Sequence, residues 1–274
     1  MTRLLITGSG GRLGTLLQAA FHRDGSDVDV VFQSSKPGMD VQWRVGDPLF
    51  KLPKTDAVLA LWGVTRGDDE ALAHNSQLAF LSDEVAEATG AHRVFHCSTA
   101  AIYGPGQEMF EDRPPAPINA YGAAKLEMER HIRGFVESEG KSHTVLRLAN
   151  IVGADSLAPS LTSDDPVTLH KFADGKGPLR SYLAASDLLR ITYALLQNPP
   201  SSHLEVLNLA APHPVEMEAL ARAAGKQIIW QDAPETAVQE VSLNTQRLSN
   251  MVPKAIKHRN AKEMIADWQS VKGR

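Results

Sequence analysis

Residues 4–14 read LLITGSGGRLG and combine an apolar run with closely spaced glycines. An apolar run that ends at glycines is typical of a buried strand, and the apolar residues from Leu13 to Ala20 recur at helical spacing. Gly8, Gly11 and Gly14 therefore lie at a strand-to-helix turn. Glycine there lets the backbone bend tightly and approach a pyrophosphate, whose charge lies at the helix N-terminus. The stretch predicts nucleotide binding; the alternative is a glycine-rich turn without a ligand.

Apolar runs and helical patterns alternate along the first 154 residues. Strands are predicted at 3–7, 28–32, 41–45, 57–62, 93–98 and 144–148, and helices at 12–22, 70–89 and 119–139. This alternation predicts an α/β fold with a doubly wound parallel sheet, the Rossmann arrangement. Right-handed crossovers then place the carboxyl ends of the strands on one edge, where ligands bind.

The pattern is looser after residue 154. Residues 154–180 are interpreted as a loop with one short helix, followed by predicted helices at 187–196, 214–224 and from Asn260, and a strand at 206–209. We predict a dinucleotide-binding core at 1–154, to which 181–210 return. Residues 155–180 and 211–274 are predicted to form a small C-terminal substrate-binding lobe.

Composition narrows the class of protein. The chain is 43% hydrophobic and 22% charged with a net charge of −4, values that are ordinary for a globular protein and do not favour a nucleic-acid or membrane surface. The single cysteine, Cys97, suits a reducing compartment, and no apolar run is long enough to span a bilayer. We therefore expect a cytoplasmic protein with a small-molecule partner, no nucleic-acid or membrane partner, and no metal.

The residues after the second predicted strand bear on the choice of cofactor. An acidic residue there would bind the ribose hydroxyls of NAD, whereas this chain has Gln33-Ser34-Ser35-Lys36. The hydroxyl of Ser34 and the cation of Lys36 could take a ribose phosphate, with Arg12 close enough to help. NADP is therefore slightly favoured over NAD, although Lys36 is equally interpretable as a solvated loop residue.

A candidate proton-transfer group lies on the third predicted helix. Tyr121 and Lys125 are four residues apart and hence share a helix face. A nearby lysine cation and a positive nicotinamide ring would lower the pKa of the phenol from about 10, its ordinary value. A Tyr-Lys pair alone is common by chance on solvated helices. Ser98 and Thr99 strengthen the hypothesis because they end the preceding strand, where a hydroxyl could bind the reacting oxygen.

A series of motifs extends from the start of the chain to about residue 190. They are Thr7-Gly8-x-x-Gly11-x-x-Gly14, Asp47, Leu61-Trp62-Gly63, Asn75, Ser98-Thr99-Ala100-Ala101-Ile102-Tyr103-Gly104, Tyr121-x-x-x-Lys125, Leu146-Arg147-Leu148-Ala149-Asn150-Ile151-Val152-Gly153 and Arg180-Ser181-Tyr182-Leu183-Ala184-Ala185-Ser186-Asp187. In this order they resemble the NAD-dependent epimerase/dehydratase branch of the extended short-chain dehydrogenase/reductase superfamily.

The resemblance implies a role for each matched residue. Tyr121 would be the acid/base, Lys125 would orient the cofactor ribose and tune Tyr121, and Thr99 would be the catalytic hydroxyl that also contacts substrate. Asn150 and Arg180 would face the substrate. With the glycine loop and the end of the second strand included, the predicted cofactor-binding residues are Gly8, Gly11, Arg12, Leu13, Gly14, Ser34, Lys36, Asp47, Leu61, Trp62, Gly63, Tyr121 and Lys125. The resemblance also suggests a homodimer through the helix that carries Tyr121.

Departures from the family pattern bear on the reaction. Sugar 4,6-dehydratases of this family carry Asp-Glu after the catalytic threonine, whereas this chain has Ala100 and Ala101, which cannot transfer a proton. Trp62 stands where a small residue is usual. We therefore expect an NAD(P)-dependent oxidoreductase or epimerase that acts on a sugar-like carbinol or ketone, including a nucleotide sugar, and not a 4,6-dehydratase. The alternative is a non-catalytic NAD(P)-binding sensor or scaffold.

Overall fold

The computed structural model describes residues 1–136, 140–200 and 202–272. The helices are α1 (Arg12–Asp24), α2 (Asp69–Thr89), α3 (Ala120–Phe135), α4 (Ala158–Thr162), α5 (Ala185–Gln197), α6 (Met217–Ala223), α7 (Gln246–Met251) and α8 (Ala261–Val271). The strands are β1 (Arg3–Thr7), β2 (Asp29–Ser34), β3 (Val41–Gln42), β4 (Ala57–Ala60), β5 (Arg93–Thr99), β6 (Gly106–Met109), β7 (Ser142–Leu148), β8 (Asn150–Ile151), β9 (Val167–Lys171), β10 (Leu179–Arg180), β11 (Tyr182–Leu183), β12 (Leu204–Leu209), β13 (Val215–Glu216), β14 (Ile228–Asp232) and β15 (Glu240–Leu243).

The main sheet has seven strands in the order β12-β7-β5-β4-β1-β2-β3. Every pairing in it is parallel. The strand order reverses between β1 and β4, so the carboxyl ends of these two central strands flank the crevice where ligands bind in doubly wound folds. All four residues of β4 are buried, as expected for a strand covered on both faces. The predicted Rossmann arrangement is confirmed.

Two layers of helices cover the sheet. Helices α2 and α3 pack together on one face, whereas α1, α5 and α8 pack together on the other. Arg23 of α1 forms an ion pair with the buried Asp267 of α8 at 3.1 Å. Helix α8 also packs against α6, so it connects the helices of the main sheet with residues 211–274, which the sequence analysis assigns to the lobe.

Side-chain caps explain where two of the functional elements begin. Asn119 precedes α3, and its carboxamide oxygen accepts from the backbone N–H of Gly122 at 2.8 Å. Asn260 and Glu263 form the predicted capping box at the start of α8. Helix α3 ends at Phe135, and the predicted end near Glu139 lies outside the described residues.

The lobe contains more strand than the sequence predicts. A four-stranded sheet has the order β13-β10-β15-β6, and two further pairs join β14 to β9 and β11 to β8. The short helix expected within 154–180 is α4, but β9 forms where a loop was expected. Its partner β14 lies some 60 residues further along the chain, and such distant pairing leaves no local pattern. No helix in the described residues is long and apolar enough to cross a membrane.

Candidate active site

The glycine loop between β1 and α1 requires glycine at two positions. Gly8 has a positive φ of 70°, and a Cβ on it would lie 2.6 Å from the backbone nitrogen of Trp62. A Cβ on Gly14 would lie 2.3 Å from the Cα and carbonyl oxygen of Ser9. A side chain at either position would therefore push the loop away from β4 or the helix away from the loop.

The same loop fits a dinucleotide. Gly11 is the N-cap of α1 and offers no side-chain cap, so the N–H groups of the first helical turn remain available to an anion. Gln33, buried on β2, accepts from the backbone N–H of Gly8 at 3.1 Å and donates to the carbonyl of Trp43 at 2.5 Å. This amide ties the glycine loop to the backbone that follows β3.

Cations gather at the end of β2. Lys36 and Arg12 are exposed, and Arg12 donates to the carbonyl of Asp155 at 3.3 Å. Ser34 is buried, and its hydroxyl accepts from the backbone N–H of Lys36 at 3.0 Å. Arg44, which the sequence analysis did not single out, donates to the carbonyl of Ser35 at 3.1 Å. Ser34 thus shapes the turn and Lys36 and Arg44 supply its positive charge, whereas the guanidinium of Arg12 is directed at the carbonyl of Asp155.

Asp47 and Trp62 are both predicted to bind the cofactor. Asp47 caps its own turn by accepting from the backbone N–H of Arg44 at 2.8 Å. Trp62 keeps its backbone beside Gly8 but turns its indole towards α2, where Nε1 donates to the hydroxyl of Ser82 at 2.9 Å. The large side chain therefore packs against α2, and its backbone still borders the glycine loop.

Thr99 and Tyr121 meet at the carboxyl edge of the sheet. Thr99 ends β5, and its hydroxyl accepts from the backbone N–H of Ala101 at 3.2 Å and lies near the phenol of Tyr121. Burial raises the pKa of Tyr121 to about 12, and the nearby Thr99 hydroxyl acts in the opposite direction. Burial outweighs Thr99, so the protein's own groups raise the Tyr121 pKa, whereas the sequence analysis predicts that it is lowered.

The position of Lys125 explains why it does not lower the Tyr121 pKa. Its ammonium is buried and donates to the carbonyl of Cys97 at 2.8 Å, so it is directed at the backbone of β5. Burial lowers the pKa of Lys125 to about 8. The ammonium would lie 3.2 Å from a Cβ on Gly63, which brings it to the predicted cofactor-binding side. Asn75 fixes that segment by bonding both backbone groups of Val64.

Ser98 and Thr99 point in opposite directions because side chains alternate along a strand. The hydroxyl of Ser98 donates to the buried carboxylate of Glu129 at 2.5 Å. Glu129 in turn pairs with Arg147 at 2.8 Å, both side chains being 2% exposed. Ser98 therefore belongs to a buried network between α3 and the sheet, and Thr99 alone presents its hydroxyl to the site.

One cavity of about 400 Å³ brings the predicted substrate residues together. Thr99, Asn150 and Arg180 all line it, with Ala100 and Ala101 on the Thr99 side. Tyr121 is not one of the lining residues, but its phenol lies near Thr99 at the rim. Its volume lies within the range usual for small-molecule sites.

Sequence reasoning assigned no role to Gln33 or Arg44 and quoted Asn75 only as part of a family motif. Gln33 and Arg44 shape the cofactor end, and Asn75 holds the segment beside Lys125. A buried amide at the end of an apolar strand was a usable signal for Gln33, whereas the position of Arg44 depends on how the third strand packs. In the described ranges, no group of three or more His, Cys, Asp or Glu residues could hold a metal ion.

Curated proteins with established names resemble the chain over part of their length. The UDP-glucose 4-epimerase of Azospirillum brasilense is 30% identical over 146 residues, which cover 51% of this chain and 41% of that protein. The dTDP-6-deoxy-L-talose 4-dehydrogenase (NAD(P)(+)) of Kitasatospora kifunensis is 29% identical over 178 residues, which cover 58% of this chain and 55% of that protein. The chain spans about half the length of the curated relatives it matches.

Solved structures and a family model agree with this resemblance. The UDP-glucose 4-epimerase from Bifidobacterium longum, in complex with NAD+ and UDP, has a TM-score of 0.78 at 17% identity, covering 99% of this chain and 98% of that chain. That likeness establishes the fold. The model of the NAD dependent epimerase/dehydratase family matches residues 4–210, more than half of the chain. The protein therefore belongs to the NAD-dependent epimerase/dehydratase family.

Proposed function

We propose that this protein is an NAD(P)-dependent oxidoreductase or epimerase that acts on a sugar-like carbinol or ketone. The observation that carries the proposal is the contact of Tyr121 with Thr99 at the rim of the 400 Å³ cavity. Lys125 lies beneath this contact and borders Gly63, next to the glycine loop. The proton-transfer group and the predicted cofactor site thus adjoin one cavity.

Each side chain has a distinct task in the proposed reaction. The nicotinamide, when bound, supplies hydride transfer to or from the substrate carbon. Tyr121 exchanges a proton with the substrate oxygen, and Thr99 hydrogen-bonds the same oxygen. Lys125, whose ammonium borders Gly63, orients the cofactor ribose. An epimerase would take back the hydride on the other face of the ketone, whereas a dehydrogenase or reductase would release the product.

The lining of the cavity argues against 4,6-dehydration. That reaction needs an additional acid and base beside the catalytic threonine, and Ala100 and Ala101 occupy those positions. Among the described residues that line the cavity, none carries a carboxyl group. Elimination of water would therefore lack its proton-transfer groups.

A screen of sugars and carbonyl compounds for a change in nicotinamide absorbance tests the proposal. Turnover of at least one carbinol or ketone is expected. The competing hypothesis is a sensor or scaffold that binds NAD(P) without catalysis, which fold alone would permit. Tight cofactor binding without any turnover would favour the sensor and contradict the proposed enzyme.

The cations at the end of β2 support a preference for NADP. Lys36 and Arg44 lie at the turn where a ribose phosphate would bind, and no acidic residue ends β2 to bind the free ribose hydroxyls. We expect NADP to bind more tightly than NAD in calorimetric titrations. We expect Lys36→Glu to weaken NADP binding by about tenfold and to spare NAD, because only NADP carries the phosphate. Lys54→Glu, which alters a lysine before β4 at the opposite edge of the sheet, is the control. Tighter binding of NAD by the unaltered protein would contradict the preference.

An exposed aromatic residue on α2 supports the predicted homodimer. Phe80 is 43% exposed, and its ring lies 5.4 Å from that of His131 on α3. A second copy that packs its own α2 and α3 on this surface would cover the ring. We expect a dimer in sedimentation equilibrium, converted to monomer by Phe80→Glu but not by Phe50→Glu, although Phe50 is 83% exposed. A monomeric wild type would contradict the proposal.

A further inference from the structure

Arg180 is held rigidly at the wall of the cavity. Its Nη1 donates to the carbonyls of Leu179 at 2.8 Å and Gln239 at 2.6 Å, and its Nη2 donates to the carbonyl of Val238 at 2.6 Å. These acceptors are main-chain groups of β10 and of the segment that enters β15. The guanidinium is therefore placed by the backbone, and the side chain loses little further freedom when it binds a ligand.

The contacts of Arg180 leave one edge of the guanidinium available. A guanidinium has five N–H donors in a planar fork, and the three carbonyls use three of them. Nε–H and one Nη2–H remain, and Nε and Nη2 share the edge of the fork that can bind the two oxygens of a carboxylate. Burial lowers the pKa of Arg180, with Tyr182 and Glu240 acting in the opposite direction. In the described parts of the chain, no carboxylate forms an ion pair with this guanidinium.

The rest of the cavity carries no charge to accompany Arg180. Apart from Arg180, its described lining consists of apolar, glycine, hydroxyl and amide residues. A ligand with one negative charge would neutralise the single cation of Arg180, whereas any further buried charge on the ligand would remain uncompensated. Because Thr99 lines the same cavity, the anion at Arg180 and the reacting carbinol at Thr99 belong to one small molecule.

A groove of about 680 Å³ adjoins the cavity and shares Pro105 and Val238 with it. Its acidic lining residues are Asp174, Glu216, Glu235 and Glu240, and Lys176 is its one basic residue among those the structure describes. A diphosphate that left the cavity by this route would meet like charges, which oppose its binding. The groove therefore disfavours a substrate extended by a nucleotide diphosphate.

We propose that the substrate is a small polyhydroxy carboxylate, held by its carboxylate on the free Nε and Nη2 edge of Arg180. Its reacting carbinol lies at Thr99 and Tyr121, and it carries no nucleotide. This assignment rests on the proposed function and specifies its substrate class, which differs from the nucleotide sugars named for the relatives.

A matched set of probes tests the assignment by calorimetry and by turnover. The probes are D-glucuronate and D-galacturonate, their neutral parents D-glucose and D-galactose, glucose 6-phosphate, and UDP-glucose, each added to the protein saturated with NADP or NAD. The sugar acids are expected to bind at least about tenfold more tightly than the neutral sugars, because charge-assisted hydrogen bonds to Arg180 are made only by the acids. Glucose 6-phosphate separates a general preference for anions from a preference for carboxylate.

Variants of Arg180 and its neighbour provide the second arm. Arg180→Met is expected to weaken binding of the acids by about 10- to 100-fold and to leave binding of the neutral sugars unchanged. For the acids, KM should rise more than kcat falls. Arg180→Lys should recover only part of the affinity, because lysine lacks the fork. Glu240→Gln should strengthen acid binding by removing a nearby negative charge. Arg222→Met alters an exposed arginine of α6 and should change none of these values.

The outcomes separate the substrate class from the proposed function. Equal losses for acids and neutral sugars in Arg180→Met would show a merely structural arginine and overturn the assignment. Tighter binding of UDP-glucose or glucose 6-phosphate than of both acids would also overturn it, as would no binding of either acid at about 10 mM. Binding of an acid that depends on Arg180, without turnover of any probe, would support the carboxylate site and count against the proposed redox function.

Discussion

Replacement of Tyr121 by phenylalanine is expected to lower kcat by about 10²- to 10⁴-fold, the usual contribution of a positioned acid or base. Cofactor affinity should stay close to that of the wild type, because Lys125 and the glycine loop are unchanged. The phenol is the group at the cavity rim that contacts Thr99, and phenylalanine removes only its hydroxyl. Stopped-flow or steady-state nicotinamide absorbance measures the effect on any substrate that the wild type turns over.

The pH profile adds a second readout for Tyr121. Burial raises its pKa to about 12, so the phenolate fraction increases with pH throughout the neutral range. Oxidation of a carbinol needs the phenolate and should therefore become faster as pH rises, whereas Tyr121→Phe should lose this dependence. Tyr193→Phe alters a tyrosine on α5 and serves as the control. Activity that survives in Tyr121→Phe with its pH dependence intact would disprove the acid/base role.

Replacement of Arg147 by methionine is expected to cost about 3–5 kcal/mol of the free energy of unfolding, because it leaves a buried charge uncompensated. Arg147 on β7 is 2% exposed and donates to both carboxylate oxygens of Glu129 at 2.8–3.2 Å. It also donates to the hydroxyl of Tyr103 at 2.7 Å and to the carbonyl of Glu111 at 2.8 Å. Urea denaturation followed by circular dichroism measures the loss.

A double variant tests whether the unpaired charge causes the loss. Glu129→Leu combined with Arg147→Met removes both charges, and it should recover a large part of the stability that Arg147→Met loses. Arg130→Met breaks the exposed pair of Arg130 with Glu127 and should change the free energy of unfolding by less than about 1 kcal/mol. Equal effects of Arg147→Met and Arg130→Met would refute the argument.

Local patterns were sufficient for the central sheet but not for the lobe. Strands β1 and β4 are mainly apolar runs, as is usual for parallel strands covered on both faces, whereas β5 and β7 have apolar centres with buried polar residues among them. Strands β10, β11 and β13 have two residues each, so no periodicity can mark them. They form because segments far apart in the chain supply their hydrogen-bond partners.

The candidate site divides in the same way. Gly8 and Gly14 could be identified in advance because their role follows from a strand, a turn and a helix that are adjacent in the chain. Arg180 could be named as a residue that faces substrate, but its chemical preference could not be read from the chain. That preference depends on which N–H groups the carbonyls of Val238 and Gln239 occupy, and both lie more than 50 residues away.

The sequence by itself determined that this chain builds a doubly wound sheet with a glycine loop and a Tyr-Lys pair, since spacing and apolar pattern specify neighbouring elements. Only the tertiary structure decided that Ser98 turns to Glu129, that the ammonium of Lys125 is directed at Cys97, and that the Nε–H of Arg180 has no acceptor among the described residues. The physical reason is that burial and hydrogen-bond partners arise where distant segments meet. Burial and hydrogen-bond partners determine the direction, charge and pKa of a side chain, whereas the sequence determines only which residue it is.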